Sequence, residues 1–364
     1  MSTRLYSLDA LRGFDMFWII GAEEIFHTMS EATHHPFWNA LSNQFTHPVW
    51  DGFHAYDLIF PLFMFISGIS SVYSIDASLD HGVNKSKLLW KIIKRGLILF
   101  VLGMIYNNGL AIKPLSDFRI MSVLGRIGIG YTFSCMIYMY SGKKFQGVWF
   151  AGLLIGYWIM LKCSSAPGFP IGDLTEPGNF ASYFDRTVLP GKLSRGIHDT
   201  VGLFNNIAAI ATSLAGVLTG NYLKNSLSTE QEKTKWISLA GISSLALAMI
   251  WNIDFPINKN MWSSSFVLYT TGWNLLLFAL FYYIIDIKNV QGWAIFFKVI
   301  GMNSILIYMS GKFIQWGYTN KSIFQWLGDL IGNPYNAVVL AVTAVAIKWI
   351  FLKLLYDKKL FLKI

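Results

Sequence analysis

Apolar residues run along this chain in blocks of membrane-spanning length, separated by short polar stretches. A helix crossing a bilayer needs about 20 predominantly apolar residues. That length picks out ten segments, at 10–29, 55–75, 88–107, 120–140, 146–162, 202–222, 236–253, 262–285, 293–311 and 335–356. The pattern predicts an all-α polytopic membrane protein, with about ten transmembrane helices in one bundle. No hydrophilic stretch is long enough for a soluble core, so residues 1–364 are read as a single domain. The first segment carries Asp15, Glu23 and Glu24 and lacks a small-residue cleavage pattern, so it is expected to stay as the first span rather than leave as a signal peptide.

Composition agrees with this class. Hydrophobic residues make up 54% of the chain and charged residues 13%, about half the charge of an ordinary soluble protein. The 16% aromatic content suits interfacial belts and lipid-facing surfaces. A net charge of +9 raises nucleic acid as a partner, but no basic run is interleaved with a nucleic-acid motif. The lysines instead sort by loop. With the N-terminus inside, the inner loops receive Lys85, Lys87, Lys91, Lys94 and Arg95, then Lys143 and Lys144, then Lys224, Lys233, Lys235 and Lys288. The C-terminal tail adds Lys353, Lys358, Lys359 and Lys363. The long stretches 29–54, 163–201 and 311–334 face outward with few cations, which predicts both termini in the cytoplasm. Cys135 and Cys163 are too few for a disulfide framework, and Cys135 reads as buried in a helix. The stretch 163–201, rich in Gly, Pro, Asp and Ser, is either an ordered lid or a surface loop.

The candidate chemistry lies in THPVWDGFHAYDLIFPLFMFISG, residues 46–68, where two histidines and two aspartates stand at the mouth of the second span. Ionisable groups near hydrocarbon are costly and are usually functional. Helical spacing from residue 54 places His54, Asp57, Leu58 and Pro61 on one face, and Pro61 frees the carbonyl of Asp57. That arrangement serves either a held histidine or a helix start with an acidic first turn. In the first span Arg12, Asp15, Glu23 and His27 share an arc of about 120°, a stripe that must face the bundle interior. Arg126 in the fourth span and Arg119, seven residues earlier and so on the same face, are available to pair with Asp15, Glu23 or Asp57, or to grip an anionic ligand. Lys298 and Lys348 lie near span ends, where their side chains can snorkel. GLFNNIAAIATSLAGVLTG, residues 202–220, repeats small residues at a close-packing spacing. PINKNMW, residues 256–262, reads as a capped helix start or as a polar wall of a site. Five of the seven histidines fall between residues 27 and 54, but without ligand spacing, so no metal site is assigned.

RLYSLDALRGFDMFW (4–18), HPVWDGFHAYDLIFPLFMFISGIS (47–70), RIMSVLGRIGIGY (119–131), AAIATSLAGVLTG (208–220), PINKNMWSSSFVL (256–268) and IGMNSILIY (300–308) occur in this order. Together they resemble the heparan-α-glucosaminide N-acetyltransferase family of transmembrane acyltransferases, over nearly the whole chain. The resemblance implies transfer of acetyl from cytoplasmic acetyl-CoA to the amine of a glucosamine on the far side of the membrane. It implies His47 as the key histidine, although spacing alone pairs His54 with Asp57, and Asp57 as its acid. Where animal members have an asparagine near the end of the first helix, this chain has Ala22, Glu23 and Glu24. The amide is thus exchanged for a carboxylate, which bears on the acceptor and the proton route. Lacking the animal enzymes' extra N-terminal domain, the chain is expected to be a bacterial inner-membrane member, and a homodimer is compatible with it.

The chemistry suits these residues. A protonated amine must lose a proton before it attacks a thioester, and histidine with a partner carboxylate is suited to that. His47 is equally able to carry the acetyl group in a two-step route. Asn258 is a positional candidate for the oxyanion, and Glu23 and Arg126 for the polar cavity. Lys94, Arg95, Lys143 and Lys144 are candidate contacts for anionic CoA, or plain topology signals. An O-acyltransferase of envelope glycan and an amino-sugar transporter are the rival readings.

Overall fold

A computed structural model describes residues 5–111 and 113–362, so Arg4 and Lys363 of the segments above lie outside the described residues. Every regular element among the described residues is a helix, in the order α1 Tyr6–Phe17, α2 Glu23–Thr33, α3 Pro36–Gln44, α4 Ile59–Asp80, α5 Lys85–Asn108, α6 Val123–Tyr140, α7 Lys143–Lys162 and α8 Phe180–Val188. It continues with α9 Asn206–Leu223, α10 Glu230–Trp251, α11 Ser264–Phe281, α12 Ala294–Gly301, α13 Ser304–Phe313, α14 Trp316–Ile331 and α15 Asn336–Asp357. Each of the ten expected segments is helical. By length and apolarity alone, five described helices can cross a membrane, and a sixth is available if α12 and α13, bent by 63°, count as one span.

Two expected spans are broken. In the first, a π-turn at Trp18–Ala22 joins α1 to α2, and Gly21 takes φ +120°, a conformation that a side chain would strain. The displaced carbonyl of Ile20 accepts a hydrogen bond from Lys348 Nζ at 2.5 Å. Lys348 is therefore tied to backbone rather than stretched toward an interface. Lys298 lies 3.8 Å from the ring centre of Tyr6.

Small residues set the core spacing. A Cβ at Gly68 of α4 would stand 2.1 Å from the carbonyl oxygen of Ser213, and one at Gly216 of α9 would stand 2.0 Å from that of Phe65. No other residue lets these helices cross so closely, which is the use of the small-residue run 202–220. Phe65, Ile66, Ile69 and Leu62 of α4 then fill the interior with Leu11, Phe278 and Ile285.

The stretches read as outward loops contain three short helices. α3 starts at Pro36, with His35 as its N-cap. α8 is capped by Asn179. α14, in the stretch 311–334, packs against α15 with Asn320 buried and donating to the carbonyl of Leu340. Its charges and lack of a long apolar run hid a helix that is only half covered.

The two ends of the described chain meet. The N–H groups of Tyr6 and Ser7 donate to the Asp286 carboxylate at 3.1 and 3.2 Å. Tyr6, Lys298, Tyr356 and Phe361 line one recess there. α4 runs antiparallel to α1, with Arg12 donating to Ser70 at 3.0 Å, and begins at the opposite end of the bundle. That opposite end holds the site.

Candidate active site

His47 lies in the irregular segment between α3 and a 3-10 turn at Ala55–Leu58 that leads into α4. The turn brings Asp57 back under His47. Asp57 is fully buried, and each of its oxygens has a defined task. Oδ2 accepts the backbone N–H of His54 at 2.9 Å, capping the turn. Oδ1 stands 2.7 Å from His47 Nδ1. An ionised carboxylate can only accept, so Nδ1 carries the proton and Nε2 is left as the bare nitrogen. The ring of Tyr56 tilts against His47 at 5.1 Å. His54, which helical spacing pairs with Asp57, turns its ring to Thr46 instead, at 3.1 Å from Oγ1. His54 is the N-cap of the turn, with an extended backbone at φ −112° and ψ 158°, so its ring stands outside the helical frame and Asp57 meets its backbone N–H instead.

A third charge arrives from far along the chain. Lys259 Nζ is 3.1 Å from Asp57 Oδ1 and 3.1 Å from both ring nitrogens of His47. Its side chain is 22% exposed and that of His47 is 45% exposed. Burial pulls the Lys259 ammonium below its ordinary pKa, against the opposing pull of the Asp57 charge. The turn holding it is tightly made. Asn258 Nδ2 donates to Asp51 at 3.0 Å and its Oδ1 accepts from the Met261 N–H at 2.8 Å, while Ser263 caps α11. Trp262 is fully buried at φ +54°, which costs on the order of 1–3 kcal/mol for a bulky residue. Its indole donates to Thr212 at 3.1 Å. PINKNMW is thus both a capped helix start and a wall of the site.

These groups face a cavity of about 270 Å³, lined also by Ile19, Trp50, Phe60, Arg195 and Tyr308. That is room for one small ligand or the end of a longer one. Its apolar floor, Ile19, Ile59, Phe60, Val123 and Tyr308, continues into a recess of about 50 Å³ between α1, α4, α6 and α13. The stretch 163–201 closes one side as an ordered lid. Trp50 donates to the carbonyl of Leu174 at 2.9 Å, Arg195 to that of Val49 at 2.8 Å, and buried His198 bridges Ser182 and the Asn260 carbonyl at 2.7 and 3.1 Å.

The remaining expected residues lie elsewhere. Glu23 does not line the cavity; it stands behind it, accepting from the Tyr56 hydroxyl. Asp15 is fully buried with neither oxygen hydrogen-bonded among the described residues. Arg119 pairs with Asp199 of the lid, bidentate at 2.8 and 3.1 Å, and not with the acids of the first span. Arg126 donates to Asn205 and stacks on Trp262 at 4.5 Å, one layer behind the cavity wall. Arg95 covers Tyr131 at 4.8 Å, and both it and exposed Lys94 belong to the half of α5 remote from the cavity. Arg119, Arg126, Lys94, Arg95 and Asn258 do not line the cavity. The histidines of 27–54 disperse as well: His27 bonds Ser42 and His35 caps α3.

Fold and site together define a polytopic helical membrane protein with an acid-held histidine in an aromatic cavity at one end of the bundle. Residues 4–167 match the model of the heparan-alpha-glucosaminide N-acetyltransferase catalytic region. The chain is 30% identical over 375 positions to the heparan-alpha-glucosaminide N-acetyltransferase of Mus musculus and 29% identical over 376 to that of Homo sapiens. These alignments cover 88% of this chain and 56% of each relative, so the chain spans about half the length of the relatives it matches. By these matches the chain is similar to the heparan-alpha-glucosaminide N-acetyltransferase family.

Proposed function

We propose that the protein is a membrane acetyltransferase that moves acetyl from acetyl-CoA to the amine of a glucosamine-type sugar. The observation that carries this reading is His47, oriented by buried Asp57 at 2.7 Å, with its other ring nitrogen available to a cavity of sugar-ring size. The names of the relatives support the reaction class. In this reading Nε2 takes the proton of the attacking amine and Asp57 stabilises the resulting imidazolium. The rings of Tyr56 and Trp50, both lining the cavity, offer apolar faces to a sugar. Glu23, through Tyr56, supports the wall against which His47 stands.

The proposal extends to sidedness. Both ends of the described chain lie at the end of the bundle opposite the cavity, and the lysine-rich connections gather toward that end. This supports a cytoplasmic face bearing both termini and an acceptor site on the far face of a bacterial inner membrane.

The test is acetyl transfer by purified protein in liposomes, with labelled acetyl-CoA and glucosamine. Label in N-acetylglucosamine is expected. Label confined to hydroxyl-bearing glycan would replace the amine acceptor with an O-acyl one. Uptake of glucosamine with no dependence on acetyl-CoA would replace the enzyme with a transporter.

A further inference from the structure

Acyl transfer from a thioester needs a positive or donor group where the carbonyl oxygen takes on charge. Asn258 was the residue suggested for it by position. The structure consumes that amide: its N–H donates to Asp51 and its oxygen accepts from Met261. The next residue in the same turn points the other way. Lys259 lines the cavity, and its Nζ is held 3.1 Å from Asp57 Oδ1.

The position of Nζ relative to His47 is informative. It stands 3.1 Å from Nδ1 and 3.1 Å from Nε2. Ring nitrogens donate and accept in the ring plane and in divergent directions, so one atom equidistant from both lies over the ring face. Lys259 therefore does not compete with an incoming group for Nε2. An amine hydrogen-bonded to Nε2 would bring the carbonyl it attacks alongside the ammonium. One N–H of Lys259 is spent on Asp57, and others remain for the cavity.

We propose that Lys259 is a catalytic residue whose ammonium stabilises the oxyanion formed when the amine attacks the acetyl thioester beside His47. This rests on the acetyltransferase reading above. In the step, the amine nitrogen bonds the carbonyl carbon and the C=O π pair moves onto oxygen, next to Nζ. The amine proton passes to Nε2. The oxygen pair then re-forms C=O, the C–S bond breaks, and the thiolate takes the proton from His47 to leave as a thiol.

The other charged groups around Lys259 do not offer the same service. Asp57 holds it, Asp51 is tied to Asn258, and Glu23 lies behind Tyr56. Arg126 is behind Trp262, and Arg195 lines the cavity but donates to the carbonyl of Val49 at its exposed rim. Because burial lowers the pKa of Lys259, its charge is present below that lowered value and is lost as pH rises through it. A rate that needs the ammonium must fall on the alkaline side.

The experiment measures acetyl transfer, and hydrolysis of acetyl-CoA without acceptor, for the full chain in liposomes across pH. Lys259→Met is expected to lose about 10²- to 10³-fold in kcat with KM little changed. Lys259→Arg, which keeps its charge at all working pH, is expected to retain part of the rate and to lose the alkaline fall. Lys259→Gln provides the same neutral comparison should the Met variant not fold. A neutral variant within about threefold of wild-type kcat, or an alkaline fall unchanged in Lys259→Arg, overturns the proposal while leaving the enzyme reading intact. A wild-type protein with neither transfer nor hydrolysis removes both.

Discussion

The proposed reaction rests on which histidine meets one buried carboxylate. Asp57 serves the His54 backbone with one oxygen and the His47 ring with the other, so a single side chain fixes both the turn and the imidazole. Asp57→Asn keeps an acceptor for one partner but can no longer neutralise a protonated His47. We expect kcat to fall by about 10²-fold or more, with acetyl-CoA binding preserved, and steady-state kinetics with a separate binding measurement check this. At this scale the sequence was only partly legible. Asp57 and the histidine-rich mouth were visible as costly charges near hydrocarbon. Helical spacing favoured His54, because it assumes a helix already running at residue 54 where the chain is still extended at the N-cap, and only family resemblance pointed to His47. Lys259, separated from His47 by 212 positions, was visible as part of a polar turn, but its contact with Asp57 depends on tertiary folding.

Among the elements, the lid carries the clearest physical signature. His198 is buried as a neutral ring and its pKa is depressed to about 4, chiefly by desolvation. Asp185 accepts the N–H groups of Leu203 and Phe204, yet burial raises its pKa to about 6. The two act in opposite directions. His198 contributes stability that is present above its unfolded value of 6.5 and is lost as pH falls toward about 4. Asp185 contributes stability that is present below its unfolded value of 3.8 and is lost as pH rises through about 6. Each is worth on the order of 3 kcal/mol, so between about pH 6 and 4 they nearly cancel in the wild type. Asp185→Asn removes one side of that balance. The variant is expected to lose lid stability as pH falls from 6.5 to 4, read by limited proteolysis within 164–205, whereas the wild type changes little. Equal acid sensitivity in both would contradict the assignment. Helices with long apolar runs were legible from sequence. The helices α3, α8 and α14 were not, since they are short, polar or half-covered, and their stability comes from caps and from packing on neighbours.

For the whole molecule, the bundle separates two tasks. Its chain ends and lysine-rich connections gather at one end, and the His47 cavity opens at the other under the lid. The ten helical segments read from apolar length are all present, but the breaks at Gly21 and between α12 and α13 were not legible. They depend on a single glycine and on packing that an apolar window averages away. The arginines Arg119 and Arg126, which the pattern offered to the first-span acids or a ligand, are instead used to fasten the lid and support Trp262. The account's central claim is that transfer passes through His47. Its most direct test compares wild type with His47→Ala in liposomes, following label from acetyl-CoA into glucosamine, with thermal stability confirming that the variant is folded. Transfer by wild type and its loss in folded His47→Ala is the predicted result. A folded His47→Ala protein that acetylates at the wild-type rate would contradict the account.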